Sequence, residues 1–317
     1  MAINLNIQRK LTFSAALTLI LCLFSVLANA ADEMTLETAL AQAQKGDAEA
    51  EYYLGKCYAR GKLVPQDYAQ AAKYFRLAAG QGLAFAQTDL GGLYAQGNGV
   101  RQDDVEAARW YLLGANHGDS LAQYAMGLFY SQGRGVTNDP QESLKWFKRA
   151  AEQNQPDALL ALGDIYLKGR PGIPINLKEA GDWFQRSRDL GNYEADNSLG
   201  FIYEHGGFGI EPNAQLALNF YREAALKANG RAEMNLGRLY LEGTEVKSDP
   251  VEAYKWFYLA VRNREMLGNH YLGMMEGRLP GLVESQASIT DAQKTEAIHQ
   301  ANDLLKSMRV QAKTAGD

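Results

Sequence analysis

Six glycines, Gly55, Gly91, Gly127, Gly163, Gly200 and Gly237, recur at intervals of 36, 36, 36, 37 and 37 residues, each directly after a Leu or a Met. Three more columns keep the same register. An Ala stands five residues before each glycine (Ala50, Ala86, Ala122, Ala158, Ala195, Ala232), a Tyr three after it (Tyr58, Tyr94, Tyr130, Tyr166, Tyr203, Tyr240), and another Gly three further on (Gly61, Gly97, Gly133, Gly169, Gly206, Gly243). Four columns held through six copies exclude one irregular globular core and require a stack of small units, since no unit this short buries its apolar face alone.

The spacing within a unit predicts a helical hairpin. Ala, Leu or Met, and Tyr at i, i+4 and i+8 drift slowly around a 3.6-residue helix and make one buried stripe, which position i+7, held by Cys57 in the first copy, joins. The glycine inside the stripe costs about 1 kcal/mol in helix propensity and implies a neighbour that must come close. The glycine after the Tyr ends the first helix in a left-handed cap. A polar turn follows, closed by Asp67, Asp103, Asp139, Asn176, Asn213 or Asp249, which suit the N-cap of a second helix. Single carboxylates so far apart in sequence do not make one metal site. The second helix carries an adjoining aromatic pair, from Tyr74-Phe75 through Trp146-Phe147 to Trp256-Phe257, expected to pack between repeats.

The pattern A-x(3)-L-G-x(2)-Y-x(2)-G-x-G-V-x(2)-D, followed by A-x(2)-W-Y and A-A, resembles the Sel-one-like repeat, a relative of the tetratricopeptide repeat, over residues 46–263. The resemblance implies an all-α, right-handed superhelical solenoid of helix-turn-helix repeats. Copies four and five each gain a residue, around Arg170–Pro174 and Gly206–Gly209, where the loops should bulge. Residues 264–279 read as a degenerate seventh first-helix, with Glu276 in place of the Tyr, and 280–288 as a loop. A capping helix from Thr290 or Asp291 to about Met308 would close the stack, and another, near Thr35 to Lys45 within residues 31–45, would open it.

The first thirty residues read as an export signal: Arg9 and Lys10, an apolar run from Leu11 to Leu27, and the small-x-small site Ala28-Asn29-Ala30. Cleavage there releases a mature chain into the periplasm, without membrane insertion; left uncleaved, the run is long enough to act as an anchor. Leu21 before Cys22 does not match a lipidation site. The segment carries two of the chain's 32 basic residues and none of its 37 acidic ones, so the net charge of −5 becomes −7 and gives no general attraction to nucleic acid. Cys57 then stands alone in the mature chain, so packing rather than a disulfide must stabilise it.

Chemistry-bearing motifs are scarce. Some proteins with this repeat are described as β-lactam hydrolases, yet the chain has no Ser-x-x-Lys, Ser-Asp-Asn or Lys-Thr-Gly, and no Walker loop, Gly-x-Ser-x-Gly or His-Glu-x-x-His. His117, His205, His270 and His299 never pair at helical spacing. No catalytic residue, cofactor or metal is therefore expected. In tetratricopeptide-like superhelices the first helices line a concave face, and the positions opposite the buried stripe in repeats two to five are Phe85, Thr88, Leu121, Tyr124, Leu128, Leu160, Asp164, Leu167, Phe201 and Glu204. A solvent-facing strip should be polar, and this one is largely apolar and aromatic. Either it binds protein, or the superhelix curls and it packs on itself. The reading is a non-enzymatic, monomeric periplasmic scaffold or adaptor binding a protein segment. An immunity protein that neutralises a toxic effector is the alternative within the same class, and a hydrolase the alternative outside it.

Overall fold

A computed structural model describes residues 34–207, 209–243, 246–277 and 288–314, so the export segment and nearly all of the 280–288 loop lie outside the described residues. Among these there are fifteen α-helices and no strand beyond two isolated bridges. The chain divides into two compact units, one ending at Asp119 and the other beginning at Ser120. In the first, α1 (Leu36–Ala43) packs on α2 (Ala48–Arg60), which pairs with α3 (Tyr68–Gly80), and α4 (Ala84–Gln96) pairs with α5 (Asp104–Asn116). The second unit holds four such pairs: α6 (Ser120–Gln132) with α7 (Pro140–Glu152), α8 (Pro156–Lys168) with α9 (Leu177–Asp189), α10 (Glu194–His205) with α11 (Ala214–Ala225), and α12 (Gly230–Glu242) with α13 (Pro250–Arg262). Its tail is α14 (Leu267–Met275) and α15 (Asp291–Thr314), both against α13.

The stripe residues form the core. Ala50, Ala86, Ala122, Ala158, Ala195 and Ala232 are wholly buried, as are Leu54, Leu90, Met126, Leu162 and Leu236, while Cys57 is a buried free thiol. The stripe glycines make room for one ring each. Gly55, Gly91, Gly127, Gly163, Gly200 and Gly237 face Phe75, Tyr111, Phe147, Phe184, Tyr221 and Phe257, the second ring of the aromatic pair on the second helix of the same repeat. The first ring can also stay in its own repeat, since Tyr74 stacks on Tyr58 at 5.7 Å and Phe220 on Tyr203 at 5.5 Å. The pair also packs between repeats as expected, Trp110 sharing a core cluster with Phe75 of the preceding repeat and Phe147 one with Leu162 and Phe184 of the following repeat.

All six Asp and Asn residues cap second helices, Asp139 accepting from the backbone N–H groups of Gln141 and Glu142. Gly61, Gly97 and Gly243 end their first helices in the left-handed conformation. Gly169 and Gly206 depart from that expectation. Both have positive φ but an extended ψ, at 67°/167° and 59°/−160°, which turns the chain into the bridged turns Arg170–Ile173 and Gly207–Ile210. The one-residue insertions are absorbed in these turns. The terminal helix runs past Met308 to Thr314, and Glu276, standing where the repeat has a Tyr, meets Tyr254 of α13 and Lys294 of α15.

A half-buried polar clasp closes several hairpins. The residue after the stripe Ala bonds the residue that caps the second helix, 30 positions on: Glu51 with Gln81 (2.7 Å), Gln87 with His117 (2.8 Å), Gln123 with Gln153 (2.8 Å) and Glu233 with Asn263 (2.8 Å). Leu159 interrupts the series, and Asp196 turns instead to Arg188 at 2.5 Å.

Candidate protein-binding groove

Within the second unit, the first helices of repeats four to six contribute side chains to one cleft. Leu160, Asp164 and Leu167, at i, i+4 and i+7 on α8, share one face; Asn197, Ser198 and Phe201 share one on α10. These two faces, the N-terminal turn of α12 and the residues just after α13 enclose a cleft of about 730 Å³ within the second unit. Its α8 and α10 walls supply Leu160, Leu167 and the exposed ring of Phe201, which stacks on His205 at 4.2 Å. The opposite wall is polar, with Asn229, Arg231, Asn235, Asn263 and Glu265, and the amide of Asn235 donates to Asn197 across 3.0 Å. Asp164 forms an exposed ion pair with Lys168 at 3.0 Å, an arrangement worth at most about 1 kcal/mol.

The strip read from the sequence divides. Leu160, Asp164, Leu167 and Phe201 line the cleft. Leu128 joins Asp164 in a second, smaller cavity of about 280 Å³. Tyr124 is half-buried, its ring 5.7 Å from Phe147, and burial raises its phenol pKa. Tyr124, Leu128, Leu160 and Leu167 all rest with one side against the core beneath, so the strip packs in part on the core. Leu121 and Phe85 are exposed outside both cavities, Phe85 in the first unit with its ring 6.4 Å from Tyr52. Glu204 faces inward at 11% exposure, accepting from the Tyr221 hydroxyl at 2.7 Å and paired with Arg238. Desolvation and the Glu204 carboxylate drive the Tyr221 phenol far above its ordinary range. Thr88 is buried as well, its hydroxyl 3.0 Å from both Asp119 Oδ2 and the Ala84 carbonyl, which share its one proton. A short hydroxyl can turn into its own helix and so leave the face its number assigns.

Helix register missed most of the polar wall. Asn235 stands one position off the strip, and Asn263 and Glu265 follow a second helix, which the register does not cover. The clasp carried their signal: Asn263 donates to both oxygens of buried Glu233, at 2.8 and 3.0 Å, and this fixes it at the edge of the cleft.

Six consecutive segments, 48–83, 84–119, 120–155, 156–192, 194–229 and 230–263, match the Sel1 repeat. The chain belongs to the Sel1 repeat family. Proteins built from Sel1 repeats mediate protein–protein interaction and are typically scaffolds without catalysis. The chain is similar to a solved Sel1 repeat protein from Oxalobacter formigenes, with 28% identity and a TM-score of 0.64 over 81% of this chain and 99% of that one. It also matches c5321, a protective antigen of uropathogenic Escherichia coli with an SLR fold (24% identity, TM-score 0.37, 86% of this chain and 73% of that one). A third match is the immunity protein Pa5087 of Pseudomonas aeruginosa (20% identity, TM-score 0.41, 69% and 83%). No curated protein matches this Sel1 repeat chain. Among the described residues no three His, Cys, Asp or Glu side chains gather as a metal site, the four histidines are all exposed, and no helix is long and apolar enough to cross a membrane.

Proposed function

We propose that this Sel1 repeat protein is an exported, monomeric scaffold or adaptor that holds a segment of a partner protein in the cleft of repeats four to six. The observation that carries the reading is the pairing of Leu160, Leu167 and Phe201 with a wall of Asn and Arg side chains in one cleft. The apolar side offers area to bury, and the amides offer donors and acceptors to an extended main chain. Its dimensions suit a chain segment better than a flat protein face. Export rests on the segment ending at Ala28-Asn29-Ala30 and places the partner in the periplasm.

Affinity capture from envelope extract tests the cleft. Mature protein should retain a partner that the Phe201→Glu variant loses, because a charge at an exposed apolar anchor abolishes contacts typically worth about 2 kcal/mol or more. Equal capture by both proteins would move the interaction to another surface. Intact mass tests export: the mature chain should begin at Ala31, and a protein retaining residues 1–30 would overturn that part of the reading.

A further inference from the structure

The second cavity lies between repeats three and four, where Leu128 and Phe147 meet Ala161 and Ile165. At about 280 Å³ it is just below the range of pockets that hold drug-sized ligands, and so accommodates one or two side chains. Its hydroxyl groups and one amide N–H are already committed to backbone carbonyls. Ser131 donates to Leu128 O at 2.8 Å, Ser143 to Gly127 O at 2.8 Å, and Asn138 to Ser131 O at 2.5 Å, and Leu128, Pro140, Phe147, Ala161, Ile165 and Pro171 supply the apolar part of the lining.

The charges around it are unequal. Asp164, which also lines the cleft, already has a cationic partner in Lys168 at 3.0 Å. Arg170 lines the cavity from the bridged turn, is exposed, and makes a single side-chain hydrogen bond, from Nη1 to the Gly169 carbonyl at 2.8 Å; among the described residues no carboxylate pairs with it. Its remaining guanidinium N–H groups are available to an incoming anion, and a guanidinium presents two of them in a fork that matches a carboxylate. The turn is held by reciprocal backbone hydrogen bonds between Arg170 and Ile173, both 2.8 Å, so Arg170 sits on a fixed support.

We propose that this cavity receives the C-terminal residue of the partner segment, with its apolar side chain inside and its terminal carboxylate on Arg170. The proposal rests on the cleft reading, because the preceding residues run past Asp164 into the cleft. A segment arriving by that route meets the turn carrying Arg170 and the first turn of α7, and a chain end needs no exit.

The test is methyl NMR on the mature protein, titrated with acetyl-Ser-Gly-Ser-Ala-Val-Leu as the free acid and as the amide. The acid should shift the methyl signals of Leu128, Ala161 and Ile165 together with those of Leu160 and Leu167, and the amide should bind at least five-fold more weakly. Arg170→Gln should lower the affinity for the acid to that for the amide and leave the amide titration unchanged, in a protein whose other methyl signals stay in place. Equal binding of acid and amide, or equal loss of both in Arg170→Gln, would overturn the carboxylate contact. Shifts confined to Leu160 and Leu167 would overturn the chain-end cavity and leave the cleft standing. Shifts confined to the cavity would overturn the chain-end proposal in favour of a small-acid site, and no shift at either place would overturn it outright.

Discussion

A β-carbon on Gly163 would lie 2.5 Å from Cε1 of Phe184, a ring with no solvent exposure. The absence of one side chain on α8 is therefore the space occupied by another on α9. Ala at this position gains up to about 1 kcal/mol of helix propensity, but overpacking a filled core costs about 1–3 kcal/mol, and a buried ring cannot swing clear. Gly163→Ala should lower stability by about 1–2 kcal/mol in a denaturant titration. The double variant Gly163→Ala with Phe184→Leu should be less destabilised than the sum of its parts, because the two positions share one contact. Simple additivity would show that the ring does not depend on the glycine.

Burial pushes the Glu233 carboxyl up to about 7 from 4.5, against the smaller opposing effect of the Asn263 amide. The folded protein therefore holds this proton more tightly than the unfolded chain, so the contribution of Glu233 to stability falls as pH rises from about 4.5 to 7 and stays low above it. Glu233→Gln removes the titration and retains an acceptor for Asn263. The variant should be the more stable protein at pH 8, by roughly 3 kcal/mol on the scale of 1.36 kcal/mol per pKa unit, and the gap should shrink towards pH 4.5. Parallel melting curves across that range would refute a raised Glu233.

Asp139 accepts from two backbone N–H groups at the start of α7, at 2.9 and 3.1 Å. Asp139→Ala should cost about 1 kcal/mol in an equilibrium unfolding experiment, with Asp139→Asn nearly neutral because the side-chain oxygen is kept. Loss in both variants alike would assign the carboxylate a role beyond capping.

Tyr124 and Phe201 lie on one strip in sequence and differ in environment, Tyr124 half-buried on Phe147 and Phe201 at 40% exposure. Tyr124→Glu should lower the melting temperature by several degrees, because it leaves the ring of Phe147 without its neighbour and places a carboxylate against the core. Phe201→Glu should melt within about 0.5 kcal/mol of wild type, as exposed substitutions do. A Phe201→Glu variant that unfolds would make this wall of the cleft part of the core.

The sequence by itself determined the repeat, and with it much of the architecture. Four columns in register fix where each helix begins and ends, and their 100° per residue fixes which side of each helix is buried, from Ala50 through Met126 to Leu236. The Asp and Asn caps were legible for the same reason: a cap bonds N–H groups two or three residues away, and that geometry is local. Tertiary structure decided what remained accessible on the opposite side. Glu204 and Thr88 occupy strip positions and are turned inward, because Arg238, Tyr221 and Asp119 lie within hydrogen-bond reach. Asn263 and Glu265 carry no strip register and nonetheless wall the cleft, because the end of a second helix is folded against the next elements. Periodicity along one helix assigns a direction to each side chain; whether that direction ends in solvent, in a neighbour or in a cavity depends on helices distant in sequence.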